Sequence, residues 1–142
     1  MDNVQYLKAW TDRSIHENMD GLIIPQDKIQ AYNIQSVYEE NSKNKLFGWK
    51  IAATSEEGQK HIGIDGPIAG RLLKERYNRS GDSISLEKNQ MKKVEAEFAF
   101  KLSNDLEPKS EKYLMEDILD HIESVCPAIE VPDSRFLNFD KI

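Results

Sequence analysis

Val94-Glu95-Ala96-Glu97-Phe98-Ala99-Phe100, answered by Pro127-Ala128-Ile129-Glu130-Val131, decides where the other residues are placed. Alternation predicts a strand over 94–102, with Val94, Ala96, Phe98 and Phe100 on one face and Glu95 and Glu97 on the other. Two carboxylates therefore stand side by side. Glu130 interrupts an apolar run, where an unpaired charge is expensive to bury, so a positive group is expected to face it. Three strand carboxylates form an all-oxygen donor set, which a hard divalent cation such as Mg2+ or Mn2+ selects. A second reading stands beside this one. Alternating Glu is also the ordinary pattern of a sheet with one solvated face, and Glu130 could be an edge residue reaching water.

The chain has 142 residues, 39% hydrophobic and 31% charged, the composition of one soluble globular domain or part of one. Its single cysteine, Cys126, excludes an internal disulfide and reads as core packing in a reducing compartment. The stretch Met1-Asp2-Asn3-Val4-Gln5 lacks the basic and apolar regions of a targeting signal. No apolar run approaches the span of a bilayer, so no membrane partner and a cytoplasmic location are expected. A net charge of -6 without a basic stripe argues against nucleic acid. An anionic substrate would then need local positive charge or a metal.

Along the chain, Val4, Leu7, Trp10 and Ile15 predict a helix over 3–19, ended by Asp20-Gly21. Pro25 precedes a second helix, predicted over 26–40 with Ile29, Tyr32 and Val37 facing inward. Residues 46–53 alternate as a strand, placing Phe47, Trp49, Ile51 and Ala53 opposite Gly48, Lys50 and Ala52. Lys50 is either an exposed surface lysine or a cation held among small residues beside a site. Ser55 reads as the cap of a helical turn over 55–59. His61 reads as a surface or core residue, and His16 and His121 fall in predicted helices. Residues 63–70 read as a glycine-punctuated loop without the strand-to-helix context of a phosphate cradle. Residues 72–77 fit a helical turn or a strand, and 84–86 a short strand. Residues 113–125 read as an amphipathic helix through Ile118, Leu119, Ile122 and Val125. The last positions, Phe136 to Ile142, are partly apolar and carry no stop signal.

Several pieces, in order, resemble the 2-keto-4-pentenoate (2-oxopent-4-enoate) hydratase branch of the fumarylacetoacetate hydrolase superfamily. They are Ala31-Tyr32-Asn33-Ile34-Gln35, Gly48-Trp49-Lys50-Ile51, Thr54-Ser55, and Gly63-Ile64-Asp65 through Gly70-Arg71-Leu72-Leu73. The two acidic stretches quoted above and Asp133-Ser134-Arg135 complete the set. The resemblance runs from about Gln30 to the C-terminus.

It implies an α+β fold: a helical region over 1–45 packed on the first part of a mixed β-roll over 46–142. Glu95, Glu97 and Glu130 would bind Mg2+ or Mn2+, and Lys50 would lie beside them as a proton carrier or carboxylate binder. Arg135 would orient substrate or, alternatively, pair with Asp133. The implied activity is hydration of a 2-hydroxypenta-2,4-dienoate-type substrate to a 4-hydroxy-2-oxo acid, in a homo-oligomer that takes a small-molecule 2-oxo acid. Two departures open alternatives. Pro67-Ile68-Ala69-Gly70 lacks an acid that many hydratases of the branch carry, which leaves decarboxylation of a 2-oxo acid through the same enolate as the other reaction. Members of the family also continue past the Asp-Ser-Arg motif into a second stretch of sheet, so the chain resembles an N-terminal half. A third alternative is then a catalytically inactive remnant acting as an interaction protein.

Overall fold

Two antiparallel hairpins, each carried by its own part of the chain, organise the computed structural model, which describes residues 4–138. Asn3, at the predicted start of the first helix, and Phe139 to Ile142 lie outside the described residues. One compact unit carries the chain up to Ser85 together with the stretch from Arg135; the other is Leu86–Ser134.

In the first unit, α1 spans Val4–Asp12 and ends well before the predicted position 19. Arg13 adopts a left-handed φ of 58°, and the Asp12 carboxylate accepts the Ser14 N–H at 2.8 Å, so the chain turns out of the helix there. Ile15 thus leaves the helical face, and His16 forms an isolated parallel bridge with Phe136 instead of sitting in a helix. α2 spans Lys28–Glu40, capped by Asp27, whose carboxylate accepts the Gln30 N–H at 2.8 Å. Tyr32 and Val37 are half-buried as expected, but Ile29 is 74% exposed. It lies in the first turn, ahead of the face that meets the sheet.

That face works through polar side chains. Tyr32 Oη accepts the Ala69 N–H at 3.0 Å, Gln35 Nε2 donates to the Ala69 carbonyl at 3.1 Å, and Gln35 Oε1 accepts the Arg71 N–H at 3.2 Å. α2 thereby satisfies the backbone edge of β2, which would otherwise present unpaired groups. β1 (Leu46–Ala52) pairs with β2 (Ile68–Leu73), and a 3-10 turn follows over Lys74–Arg76. The last three residues of the stretch expected to be a glycine-punctuated loop, Ile68 to Gly70, are therefore strand, because Ile68 to Leu73 find partners across from β1. Between the strands, α3 (Glu56–Ile62) begins where expected: the Ser55 hydroxyl accepts the Gly58 N–H at 3.1 Å. It runs longer than the single predicted turn, includes His61, and stops at Gly63 in the left-handed region at φ 71°.

In the second unit, β3 (Glu95–Leu102) pairs with β4 (Ile122–Glu130). The strand expected over 84–86 does not form. The helix expected over 113–125 shrinks to α4, Met115–Leu119. The cause is visible in the ladder: Ile122 opposes Leu102 and Val125 opposes Phe100, so cross-strand pairing takes residues whose 3.6-residue spacing also suited a helix. His121 lies between α4 and β4, its Nδ1 2.7 Å from the Asp117 carbonyl.

Few side chains are enclosed. Among the described residues only Ala9, Leu73 and Asn89 are buried, and no described helix is long and apolar enough to cross a membrane.

Candidate metal centre

Register places the three acids. Glu95 lies directly opposite Glu130, and Glu97 opposite Ala128, so all three carboxylates leave one face of the β3–β4 hairpin at its open end. Each offers an oxygen, and these oxygens lie within 4.8 Å of one another. Like charges this close repel, and cross-strand carboxylates weaken a hairpin unless a cation joins them.

The two readings of the acidic strand divide on exposure. A solvated-face sheet would show its acids to water and cover its aromatics. The hairpin does the reverse. Glu97, Ala99, Ala128 and Glu130 are half-covered, and Glu130 Oε2 is buried, whereas Phe98 is 76% exposed and Ile129 74% exposed on the other face. Glu95 alone of the three acids is exposed.

The donors fit a hard divalent ion. Mg2+ holds oxygens at about 2.0–2.1 Å, so two ligands across the ion stand about 4.2 Å apart. Of three ligands at most one pair stands across the ion and the others stand about 2.9 Å apart, so oxygens within 4.8 Å must draw together around the ion, by rotation of the glutamate side chains.

The segments flanking the acids are fastened to each other. Asn89, 2% exposed, donates through Nδ2 to the Pro132 carbonyl at 2.8 Å and accepts the Lys92 N–H through Oδ1 at 2.5 Å. Asp133 Oδ1 accepts the Gln90 N–H at 2.7 Å and the Ser134 N–H at 2.9 Å. The approach to Glu95 and the departure from Glu130 are thus tied by side chain to backbone bonds. Sequence reasoning missed Asn89, since a loop asparagine between Lys88 and Gln90 carries no periodic signal.

Lys50 and Arg135 belong to the first unit, not to the hairpin that carries the acids. Lys50 is half-buried on β1 opposite Gly70, where a Cβ would stand 4.0 Å from the Lys50 Cβ. This agrees with a lysine among small residues rather than an exposed one. Arg135 Nη1 donates to the Arg13 carbonyl at 2.8 Å, and its own carbonyl accepts the His16 N–H at 2.7 Å. Those bonds anchor the returning segment beside the end of α1.

Comparison with known proteins gives the same assignment as the quoted motifs. No family model matches the chain. The TodF product hydratase of Pseudomonas putida is 35% identical over 122 residues, 84% of this chain and 45% of that protein. A 2-keto-4-pentenoate hydratase of Burkholderia vietnamiensis is 34% identical, with 80% of this chain and 44% of that protein covered. Among solved structures, 4-oxalocrotonate decarboxylase from Pseudomonas putida G7, complexed with magnesium and adipate, superposes with a TM-score of 0.81 at 24% identity. It is matched over 96% of this chain and 52% of its own length. The fold is therefore that of the matched half of the decarboxylase. In sequence, the chain resembles the N-terminal half of a 2-keto-4-pentenoate hydratase, and it spans about half the length of the curated relatives it matches.

Proposed function

We propose that the chain supplies the cation-binding part of a lyase acting on 2-oxo acids, with Glu95, Glu97 and Glu130 holding Mg2+ or Mn2+. The observation that carries this reading is the convergence of three carboxylate oxygens within 4.8 Å on the half-covered face of a hairpin whose apolar face is bare. When bound, the cation supplies positive charge for an anionic 2-oxo acid and for the enolate character developed during reaction. The protein's own part is to gather the acids and hold their flanks through Asn89 and Asp133.

Hydration is the favoured reaction, since the hydratases match the sequence at 35% and 34% identity. A 2-hydroxypenta-2,4-dienoate shifts its enol proton to give the 2-oxo-3-enoate, and water then adds to the conjugated double bond, leaving a 4-hydroxy-2-oxo acid. Lys50 is assigned the proton transfer or the substrate carboxylate, and Arg135 the orientation of substrate. The assembly acts as a cytoplasmic homo-oligomer. Decarboxylation is the second reading, favoured by the decarboxylase that shares the fold.

The test is a calorimetric titration with oxalate, an enolate mimic, with and without Mg2+. Binding that needs both Mg2+ and Glu97 supports the reading. Oxalate binding unchanged in Glu97→Gln, or absent in saturating Mg2+, overturns it. Water addition to 2-hydroxypenta-2,4-dienoate against CO2 release from 4-oxalocrotonate then separates the two reactions.

A further inference from the structure

The first unit holds a cleft of about 270 Å3 that shares no lining residue with the cation site. Leu7 and Trp10 of α1 and Tyr38 of α2 give it an apolar wall, and all three are half-buried. The Trp10 and Tyr38 rings meet at a centroid distance of 5.0 Å with 38° between their planes. Lys43 and Arg76 stand on the polar side, with Glu75 the one acid among the described lining residues. In a chain of net charge -6, a cleft with two cations to one acid runs against the whole.

Glu75 and Arg76 are engaged differently, and that decides the charge of a ligand. The Glu75 carboxylate accepts from the Ser42 hydroxyl at 2.8 and 3.0 Å and from Asn44 Nδ2 at 3.3 Å. Arg76 uses one of its five N–H donors on the Trp10 carbonyl at 3.1 Å, and its Cζ lies 4.6 Å from the Trp10 ring centroid. A cationic ligand therefore finds the place over Trp10 already taken. An anion finds a guanidinium oriented by a carbonyl and a ring, with further donors for the two parallel bonds that a carboxylate accepts. Desolvation and the like charge of Arg13 lower the Arg76 pKa, which Glu75 opposes and Arg135 reinforces, although the residue as a whole reaches water. A bound anion relieves that repulsion.

We infer that this cleft binds a small carboxylate with a flat apolar body, its carboxylate on Arg76 and Lys43 and its ring against Leu7, Trp10 and Tyr38. At roughly 30 Å3 apiece the cleft has room for about nine non-hydrogen atoms, the size of a monocyclic acid such as benzoate. Binding there needs neither Mg2+ nor any of the three strand acids.

The experiment titrates the chain with benzoate in EDTA and follows the indole N–H resonances of its two tryptophans by NMR, assigned with Trp49→Phe. A ligand of that size is expected to bind with a dissociation constant of about 1 mM. The Trp10 resonance should shift to saturation while that of Trp49 stays in place. Benzyl alcohol, which lacks the charge, and benzamidine, which reverses it, should each bind more than tenfold more weakly. Arg76→Gln should weaken benzoate more than tenfold and Lys43→Gln by less, with the rest of each spectrum unchanged, and Glu97→Gln should bind as the unaltered chain does. Four results overturn the inference: no shift of Trp10 at ten times the expected constant, equal affinity for benzyl alcohol or benzamidine, benzoate affinity kept by Arg76→Gln, or affinity lost in Glu97→Gln. The ligand series uses the unaltered chain, so it decides the matter even where Arg76→Gln disturbs the end of α1.

Discussion

At the scale of single residues, the acids are informative because of what surrounds them. Glu130 was legible as unusual from its place in Ala128-Ile129-Glu130-Val131, and the structure sets it directly across from Glu95. Glu97→Gln removes one charged donor of three, so Mg2+ affinity should fall more than about tenfold, or about 1.4 kcal/mol, in a calorimetric titration. Tyr38 offers a prediction independent of metal. Burial, with Tyr6 adding to it, raises its phenol pKa above the ordinary 10.0, and its ring stacks on Trp10 at a centroid distance of 5.0 Å. A raised folded pKa means the unfolded chain ionises first. The contribution of Tyr38 to stability is therefore complete below pH 10 and lost as pH rises through the folded value. An alkaline melt followed by circular dichroism should show this loss, and Tyr38→Phe should reduce it.

At the scale of elements, caps were readable and lengths were not. Ser55 was placed correctly because an N-cap is a local device: its hydroxyl accepts the Gly58 N–H whatever packs later. Ser55→Ala should cost about 1 kcal/mol in a urea titration. Gly63 closes the same helix at φ 71° with open space where a Cβ would sit, so Gly63→Ala should also cost about 1 kcal/mol, from backbone strain alone. The region 113–125 misled because Ile118, Leu119, Ile122 and Val125 satisfy a helical period while two of them are claimed by a ladder. Spacing cannot register a partner strand twenty residues away. The end of α1 was missed for a similar reason, since the left-handed turn at Arg13 has no glycine to announce it. Tyr32 was legible as an inward residue of the second helix and Gln35 only as part of a resemblance, and their work at the edge of β2 needed coordinates.

At the scale of the whole molecule, both hairpins put their apolar faces outward, which no periodicity argument distinguishes from the ordinary arrangement. Alternation names two faces but not which one meets water. All three acids lie in Leu86–Ser134, so Mg2+ should protect that unit selectively. At a hundredfold excess over the dissociation constant, the stabilisation expected is about 2.7 kcal/mol. Hydrogen exchange should slow in β3 and β4 on adding Mg2+ and stay unchanged in β1 and β2, and Glu97→Gln should abolish the difference. The ladder has one further consequence, for how this sequence tolerates insertions and deletions. Strand parity is binary, so losing one residue between Glu95 and Lys101 would send Glu95 and Glu130 to opposite sides of the hairpin. The register shift between Lys101 and Leu102 lies at the far end of the strands, beyond every pair that positions an acid. Length variation among descendants should therefore accumulate between residues 103 and 121, where a gained or lost residue leaves the acids in phase.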